Sequence, residues 1–300
     1  MSFLSKYFKP SHRQKTQLFK ILDRFPHSIG FYGYHKIQQL YNRQSLFYKI
    51  QSTQKSFYTI KRILSTCQLS LQGTNCVEIG SGWLPIFPYF LLFEGNVNKV
   101  ATYDIHQHYQ KNKIKALNRI FIEKYNLDTS HFIGEYSLPN AIEYFPKKSI
   151  ETAPLANTKF VISRFVLEHV PPDIIESIHK TLSEKLSEND YILHLISPSD
   201  HRAYTDKSIS LYDFLQYSQK EWDTIQTKFD YHNRLRLPQY LTIFKKEFEI
   251  VHLEFQPCKE GTPQFKMFKS LKIHSDFSKF SDEELTAGSI NVLLRKKKAT

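Results

Sequence analysis

Two hydrophobic periods divide the chain. Over residues 1–70, apolar side chains recur at helical spacing, as at Leu18, Ile21, Leu22 and Phe25, with basic residues between them. From about residue 73, short apolar runs alternate with helical stretches, which favours a mostly parallel sheet covered by helices. The pattern predicts an N-terminal helical extension over 1–70, either a cap over the sheet or a membrane-surface segment, and an α/β domain over 71–300.

The apolar runs predicted as strands are 76–79, 99–104, 141–145, 159–163, 191–196, 248–255 and 289–294. The third strand is ambiguous because the apolar run 131–133 could also form it, and we favour 141–145. Helical spacing is predicted over 109–125 and 173–186. The stretch 197–247 is long for a crossover and rich in Tyr, Asp, Lys and Arg, so we interpret it as a substrate-side insertion.

A glycine turn follows the first strand. Gly80 and Gly82 allow a sharp turn and close approach of a ligand, and a helix just beyond would direct free N–H groups at that ligand. Asp104 ends the second strand, 22 residues after Gly82. A glycine turn after strand one and an acid after strand two bind an adenosine ribose in α/β folds.

This sequence signature is compatible with two cofactors, a dinucleotide such as NAD and S-adenosylmethionine. A dinucleotide fingerprint requires a third glycine where the chain has Pro85. The acid at Glu78, the missing glycine and the aromatic-rich continuation favour S-adenosylmethionine over NAD.

The residues Val77-Glu-Ile-Gly-Ser-Gly82 resemble motif I of class I S-adenosylmethionine-dependent methyltransferases, and Tyr103-Asp-Ile105 resembles motif II. The resemblance covers about 73–296 and implies a Rossmann-like three-layer sandwich. Its sheet would have seven mostly parallel strands with an antiparallel last strand, and the N-terminal helices would cap it. The segment 163–170 resembles motif IV, beside the methionine part of the cofactor. The implied cofactor-binding residues are Glu78, Gly80, Ser81, Gly82, Trp83, Asp104, Ile105, Ser163, Arg164 and Phe165.

Two features depart from that family. An acidic residue near the adenine amino group is expected after strand three, but the chain has 148–152 there, where Ser149 or Glu151 could substitute. The segment 163–170 also lacks the Asn-Pro-Pro-Tyr pattern of enzymes that methylate base amino groups, which disfavours a nucleic-acid substrate.

Methyl transfer to a hydroxyl needs a group that accepts the proton, and imidazole suits neutral pH. His169, His194 and His201 lie near the ends of strands four and five, where open sheets bind their ligands. We favour His201, paired with Asp200, and then His169, whereas His194 lies inside a strand and is more typical of a core residue. Two neighbouring ligands without a third at recognisable spacing predict no metal site.

The chain carries an excess of basic residues, with a formal net charge of +12. Such a charge favours an anionic partner, and Arg202, Arg234 and Arg236 are candidates to bind a phosphate or carboxylate of the substrate. Three unclustered cysteines suit a reducing compartment. No apolar run approaches 18 residues, so we expect a soluble, cytoplasmic protein.

The stretches 197–201, 206–210 and 233–236 resemble a methyltransferase subgroup found among glycan and natural-product biosynthesis enzymes. This resemblance implies O-methylation of a sugar, glycan or other small metabolite by direct in-line transfer. An RNA methyltransferase is the alternative enzyme. An inactive methyltransferase-fold partner or membrane-associated scaffold is the non-enzymatic alternative. The sequence leaves the oligomeric state open.

Overall fold

The computed structural model describes residues 12–41 and 44–298. The first eleven residues of the predicted N-terminal extension lie outside this part of the chain. Helices α1 (His12–Asp23), α2 (His27–Tyr41) and α3 (Leu46–Thr66) come first. The following elements are β1 (Asn75–Ile79), α4 (Ile86–Phe93), β2 (Lys99–Asp104), α5 (Lys111–Tyr125), β3 (Phe132–Ile133), β4 (Leu138–Pro139), β5 (Ile142–Pro146), β6 (Phe160–Arg164), α6 (Pro172–Lys185), β7 (Tyr191–Ile196), α7 (Arg202–Thr205), α8 (Gln219–Ile225), α9 (Leu237–Glu247), β8 (Phe248–Gln256), α10 (Pro263–Lys269), α11 (Asp282–Thr286) and β9 (Gly288–Lys296).

Seven strands form one sheet in the order β5-β2-β1-β6-β7-β9-β8. All neighbouring pairs are parallel except those of β9, which runs antiparallel to both β7 and β8. The predicted fold, a mostly parallel seven-stranded sheet with an antiparallel last strand, is confirmed. The third sheet strand is the favoured one, because 132–133 instead forms a two-stranded hairpin with β4.

Helices cover both faces of the sheet and complete the three layers. On one face, Phe57 of α3, Phe90 of α4 and Phe121 of α5 pack into one buried cluster. On the other face, Ile178 of α6 and Phe244 of α9 pack in a second cluster. Coverage on both sides explains why the central strands are continuous apolar runs rather than alternating ones.

The strand register aligns the carboxyl ends of the three central strands. Ile79 pairs with Tyr103 of β2 and with Ser163 of β6. The residues that follow these positions therefore meet at the carboxyl ends of the strands, where α/β folds bind ligands.

An aromatic cluster joins the N-terminal helices to the segment after α8. Phe229 contacts the rings of Phe19 at 6.0 Å, Phe31 at 5.1 Å and Tyr34 at 5.3 Å between centroids. Phe19 is fully buried. These contacts place α1 and α2 over the carboxyl ends of the central strands, where they form a roof.

Among the described residues, no helix combines the length and the apolar character needed to cross a membrane.

Candidate functional site

A cleft of about 630 Å³ lies between the carboxyl edge of the sheet and the N-terminal helices. Its floor includes Gly80, Asp104 and Arg164, and its roof includes Phe31 and Phe229. A volume of this size is typical of sites that enclose a small molecule.

The glycine turn forms one wall of the cleft. Gly80 has φ +82°, and a β-carbon there would lie 2.5 Å from Cγ2 of Val166. Gly82 has φ +59°, and a β-carbon there would meet no atom of the described residues within 4 Å, so its backbone faces open space. Both conformations favour glycine. Pro85 stands at the N-cap position of α4, directly after this turn.

Asp104 connects the second strand to the glycine turn. Its Oδ1 accepts a hydrogen bond from the backbone N–H of His106 at 2.8 Å, and Oδ2 accepts from the Ser81 hydroxyl at 3.1 Å. Burial raises the pKa of this carboxyl, and these hydrogen bonds oppose that shift. Backbone N–H groups of Ser81 and Gly82 also interact with this carboxyl, so Asp104 is held against the glycine turn at the cleft.

Two neighbouring predicted residues also line the cleft. Trp83 contacts the rings of His35 and His108 at 4.9 and 4.8 Å between centroids. Ile105 is 67% exposed and presents apolar surface at the cleft.

Glu78 is a buried carboxyl in the cleft wall. Burial raises its pKa to about 8, while a hydrogen bond from Thr102 and the charge of Arg164 oppose that shift. Thr102 donates to Oε2 of Glu78 at 2.5 Å. Arg164 donates from Nε to the Ser56 hydroxyl of α3 at 2.9 Å, which fixes its guanidinium beside the cleft.

The predicted contact of Ser163 with the cofactor is wrong. Its side chain is fully buried, and its hydroxyl lies 2.6 Å from Nδ1 of His194, beneath the sheet rather than in the cleft. Successive strand side chains point to opposite faces, so Arg164 reaches the cleft and Ser163 does not. Phe165 lines the cleft with φ +57°.

Of the two adenine candidates, only Ser149 lines the cleft. The Ser149 hydroxyl donates to Oε2 of Glu151, and Ser177 donates to Oε1 of the same carboxylate at 2.7 Å. Both Glu151 oxygens are therefore engaged with protein hydroxyls.

A smaller cavity of about 180 Å³ adjoins the cleft, and His169, Tyr34 and Phe229 line both. It contains three histidines, His169, His201 and His232, whose candidate ligand atoms all lie within 4.8 Å of one another. Between ring centroids, His201 lies 4.0 Å from His232 and 5.0 Å from His169. The sequence predicted no metal site, but the fold supplies the third histidine that sequence spacing lacked.

Burial disfavours the charged form of all three rings. Burial lowers the pKa of His201 to about 3 and that of His232 well below its usual value. His169 is exposed at the cleft, and desolvation by the groups around it lowers its pKa as well.

The predicted dyad of His201 with Asp200 is wrong. The Asp200 carboxylate is 1% exposed and forms an ion pair of 2.6 Å with Arg202, and it also accepts from the N–H of Phe214 at 3.0 Å. With both oxygens engaged, it orients the 200–202 turn rather than the imidazole of His201.

The structure also contradicts the predicted substrate-binding role of two arginines, Arg234 and Arg236. Arg236 is 1% exposed and donates to the carbonyls of Pro198, Arg234 and Leu285 at 2.9 to 3.1 Å. Arg234 donates to the carbonyls of Phe214 and Tyr217. Their guanidinium groups crosslink buried backbone, and the third, Arg202, is held by Asp200 and Asp213.

His194, the third histidine candidate, belongs to the core. Its Nε2 lies 3.0 Å from Nε2 of His179, whose Nδ1 lies 2.7 Å from the Ile175 carbonyl. Both rings are buried, which lowers the pKa of His179 to about 4.

Sequence reasoning missed His232 and the aromatic roof. His232 directly precedes the 233–236 segment, whose polar residues bind backbone groups. No spacing in the sequence relates His232 to His169 or His201, because these three positions meet only in the folded chain.

No protein-family model and no curated protein sequence matches this chain. Among solved structures, the fold is similar to a magnesium protoporphyrin IX methyltransferase from Synechocystis PCC 6803 with bound SAH, with a TM-score of 0.48 and 12% identity over 93% of this chain and 100% of that one. A SAM-dependent methyltransferase from Methanosarcina mazei gives a TM-score of 0.42 and 14% identity over 75% of this chain and 93% of that one. A protein provisionally described as a hemolysin from Streptococcus thermophilus gives a TM-score of 0.41 and 11% identity over 81% of this chain and 66% of that one. At these values the likeness is distant and extends to the fold only.

Proposed function

We propose that the chain is a cytoplasmic S-adenosylmethionine-dependent methyltransferase that acts on an oxygen of a sugar, glycan or other small metabolite. One observation carries the cofactor assignment: the glycine turn and Asp104 meet at the floor of a single cleft, joined by the hydrogen bond from Ser81. This arrangement supports binding of an adenosine ribose at the Asp104 carboxylate.

The residues of the cleft fit this cofactor chemically. The open space beside Gly82 allows backbone approach, and the cleft volume matches a molecule of nucleoside size. Glu78 adds a carboxyl whose ionised form attracts a positively charged ligand, and such a ligand would lower its raised pKa. When bound, S-adenosylmethionine supplies a methyl group on a sulfonium, which is already a good leaving group.

The protein's own contribution is positioning and proton removal. His169 lines both the cleft and the smaller cavity, and its Nδ1 lies 3.0 Å from the Tyr231 carbonyl, which holds the ring. This position suits His169 to accept a proton from an acceptor hydroxyl. The small volume beyond it, about 180 Å³, favours a small acceptor group over a polymer.

Calorimetric titration with S-adenosylmethionine, S-adenosylhomocysteine and NAD tests the cofactor. We expect micromolar binding of the two sulfur compounds and none of NAD. Asp128→Asn serves as a matched control because Asp128 is an exposed acid far from the cleft. Binding of NAD would instead indicate a dinucleotide site, and no binding of any of the three would indicate a scaffold.

The acceptor is tested by incubating the protein with S-adenosylmethionine carrying a labelled methyl group. The acceptor panel comprises sugars, nucleotide sugars and total RNA. Label in a small sugar supports the proposal. Label found in RNA alone would establish the alternative enzyme, which the charge of +12 favours.

A further inference from the structure

Three separate loops bring the histidines of the smaller cavity together. His169 lies in the turn after β6, His201 precedes α7, and His232 lies between α8 and α9. Their candidate ligand atoms lie within 4.8 Å of one another, and His169 and His232 are 4.4 Å apart between ring centroids.

The hydrogen bonds of these rings leave nitrogen lone pairs available. A backbone carbonyl only accepts, so Nδ1 of His169 donates to Tyr231, and Nε2 of His169 carries the free lone pair. Nε2 of His232 is buried and has no hydrogen-bond partner among the described residues, in a residue that is 5% exposed. An unsatisfied buried nitrogen is costly, and a metal ion would satisfy it.

The backbone around the cluster is fixed independently of any ion. Nε1 of Trp222 donates to the His232 carbonyl at 3.0 Å, and Nδ2 of Asn233 donates to the carbonyls of Leu167 and Val170 at 2.6 and 2.8 Å. These bonds connect the loop of His232 to the turn of His169. The ring contact of Nδ1 of His169 with the Tyr231 carbonyl is of the kind that orients histidine ligands at metal sites.

The charges that face the cluster are balanced. Lys15, Arg202 and Arg236 carry three formal positive charges near the cluster, and Asp200, Asp213 and Asp230 carry three formal negative charges. Arg202 pairs with both Asp200 and Asp213, and Asp230 interacts with both Lys15 and His169. A dication at this position therefore does not meet a net positive wall.

We propose that His169, His201 and His232 bind one divalent transition-metal ion, of the class that prefers neutral imidazole in four-coordinate geometry, as Zn²⁺ does. Metal–nitrogen bonds of about 2.0 Å require the three nitrogens to lie about 3.4 Å apart in a tetrahedral site. Because the candidate nitrogens lie within 4.8 Å of one another, the longest of their separations would shorten by at most about 1.4 Å on binding. Three protein ligands leave a fourth position for an exchangeable oxygen.

The identity of that fourth ligand rests on the function proposed above. A hydroxyl of the acceptor bound to the ion would release its proton to solvent water more easily, because a bound cation lowers the pKa of a coordinated oxygen. In that arrangement His169 acts as a ligand instead of a proton acceptor. Binding of the metal itself requires no methyltransferase activity.

The test uses the full chain without a histidine tag, after removal of metal by chelator dialysis. Co²⁺ is titrated while its visible absorption is recorded, and Zn²⁺ then competes for the site. We expect one ion per chain, an intense absorption typical of four-coordinate Co²⁺, and displacement by Zn²⁺. His232→Gln and His201→Gln should weaken binding at least 100-fold, whereas His131→Gln, which alters an exposed histidine elsewhere, should not change it.

Equal affinity in the wild type and in both cluster variants would overturn the proposal, as would wild-type Zn²⁺ binding weaker than about 100 µM or a six-coordinate Co²⁺ spectrum. Thermal unfolding of each variant establishes that it is folded, and half-buried His201 gives the safer variant if His232→Gln does not fold. No cofactor is present in this titration. A failure to bind S-adenosylmethionine would therefore contradict the proposed function and leave the metal site standing.

Discussion

Two groups of histidines lie near the same edge of the sheet, but their hydrogen bonding differs. In the pair beneath the sheet, Nδ1 of His179 donates to Ile175, Nε2 of His194 donates to His179, and Ser163 donates to Nδ1 of His194. Every ring nitrogen of this pair has one partner. In the cavity cluster, the buried Nε2 of His232 has no partner within residues 12–41 and 44–298.

The difference shows that neither burial nor a lowered pKa alone identifies a functional histidine. Burial lowers the pKa of His194 and of His232 alike, well below the usual value. Because buried polar groups in native structures are nearly always hydrogen-bonded, the unsatisfied nitrogen is the informative one. The saturated pair is structural, and the unsaturated cluster is the candidate site.

The largest expected effect concerns the saturated pair. His194→Ala leaves a cavity under Phe244 and removes the partners of Ser163 and His179, so we expect a loss of about 4 kcal/mol in the free energy of unfolding. Urea denaturation measures it. A loss below about 1 kcal/mol would mean that the pair contributes no more than surface residues do.

The next effect concerns a second unsatisfied group, Oε2 of Glu168. Burial raises the pKa of this carboxyl from its usual 4.5 to about 8. Its contribution to stability is therefore fully present below about pH 4.5 and is lost as the pH rises through about 8. Glutamine does not titrate, so Glu168→Gln should gain about 3 kcal/mol relative to the wild type between pH 5 and pH 8.

Urea denaturation of both proteins at pH 5 and pH 8 measures this difference. Glu188→Gln is a suitable control because Glu188 is exposed. A pH-independent difference between Glu168→Gln and the wild type would show that the Glu168 carboxyl is not destabilised by its burial.

Asp104 lies between these extremes, because protein groups hold its carboxylate and it also lines the cleft. Asp104→Asn should weaken S-adenosylmethionine binding by about 2 kcal/mol, roughly thirtyfold, since charge-assisted hydrogen bonds to a ribose would be lost. Calorimetry measures the affinity, and Asp128→Asn should leave it unchanged. An unchanged affinity in Asp104→Asn would remove this carboxylate from the cofactor site.

The fold and the glycine turn could be predicted from sequence because their signals are local. The 76–79 strand, the glycines at 80 and 82 and the acid at 104 are each encoded by neighbouring residues and strand order. Alternation along β6 also allowed a better prediction for Ser163, since a residue adjacent to cleft-lining Arg164 must face the other side.

The rest of the site depends on contacts between distant segments. Arg236 looks like a surface cation in the sequence, yet it is buried and donates to the carbonyls of the distant residues Pro198 and Leu285 and to that of Arg234. His232 likewise approaches His169 only because Asn233 bonds to the turn at Leu167 and Val170. Such long-range polar contacts follow no hydrophobic period, so the sequence pattern of 197–247 does not reveal them.

The smallest expected effect returns to the histidine comparison. His201 is half-buried, stacks on Tyr204 at 4.8 Å and lines the smaller cavity. His201→Gln in metal-free protein should therefore cost less than about 1 kcal/mol of unfolding free energy, because the ring adds little packing that the structure would lose. His179→Gln provides the matched measurement, and there we expect a clearly larger loss, since the variant breaks the chain of bonds from Ile175 to Ser163. Equal losses in the two variants would mean that the cavity cluster stabilises the fold as the saturated pair does, and the distinction between a structural and a functional histidine group would no longer hold.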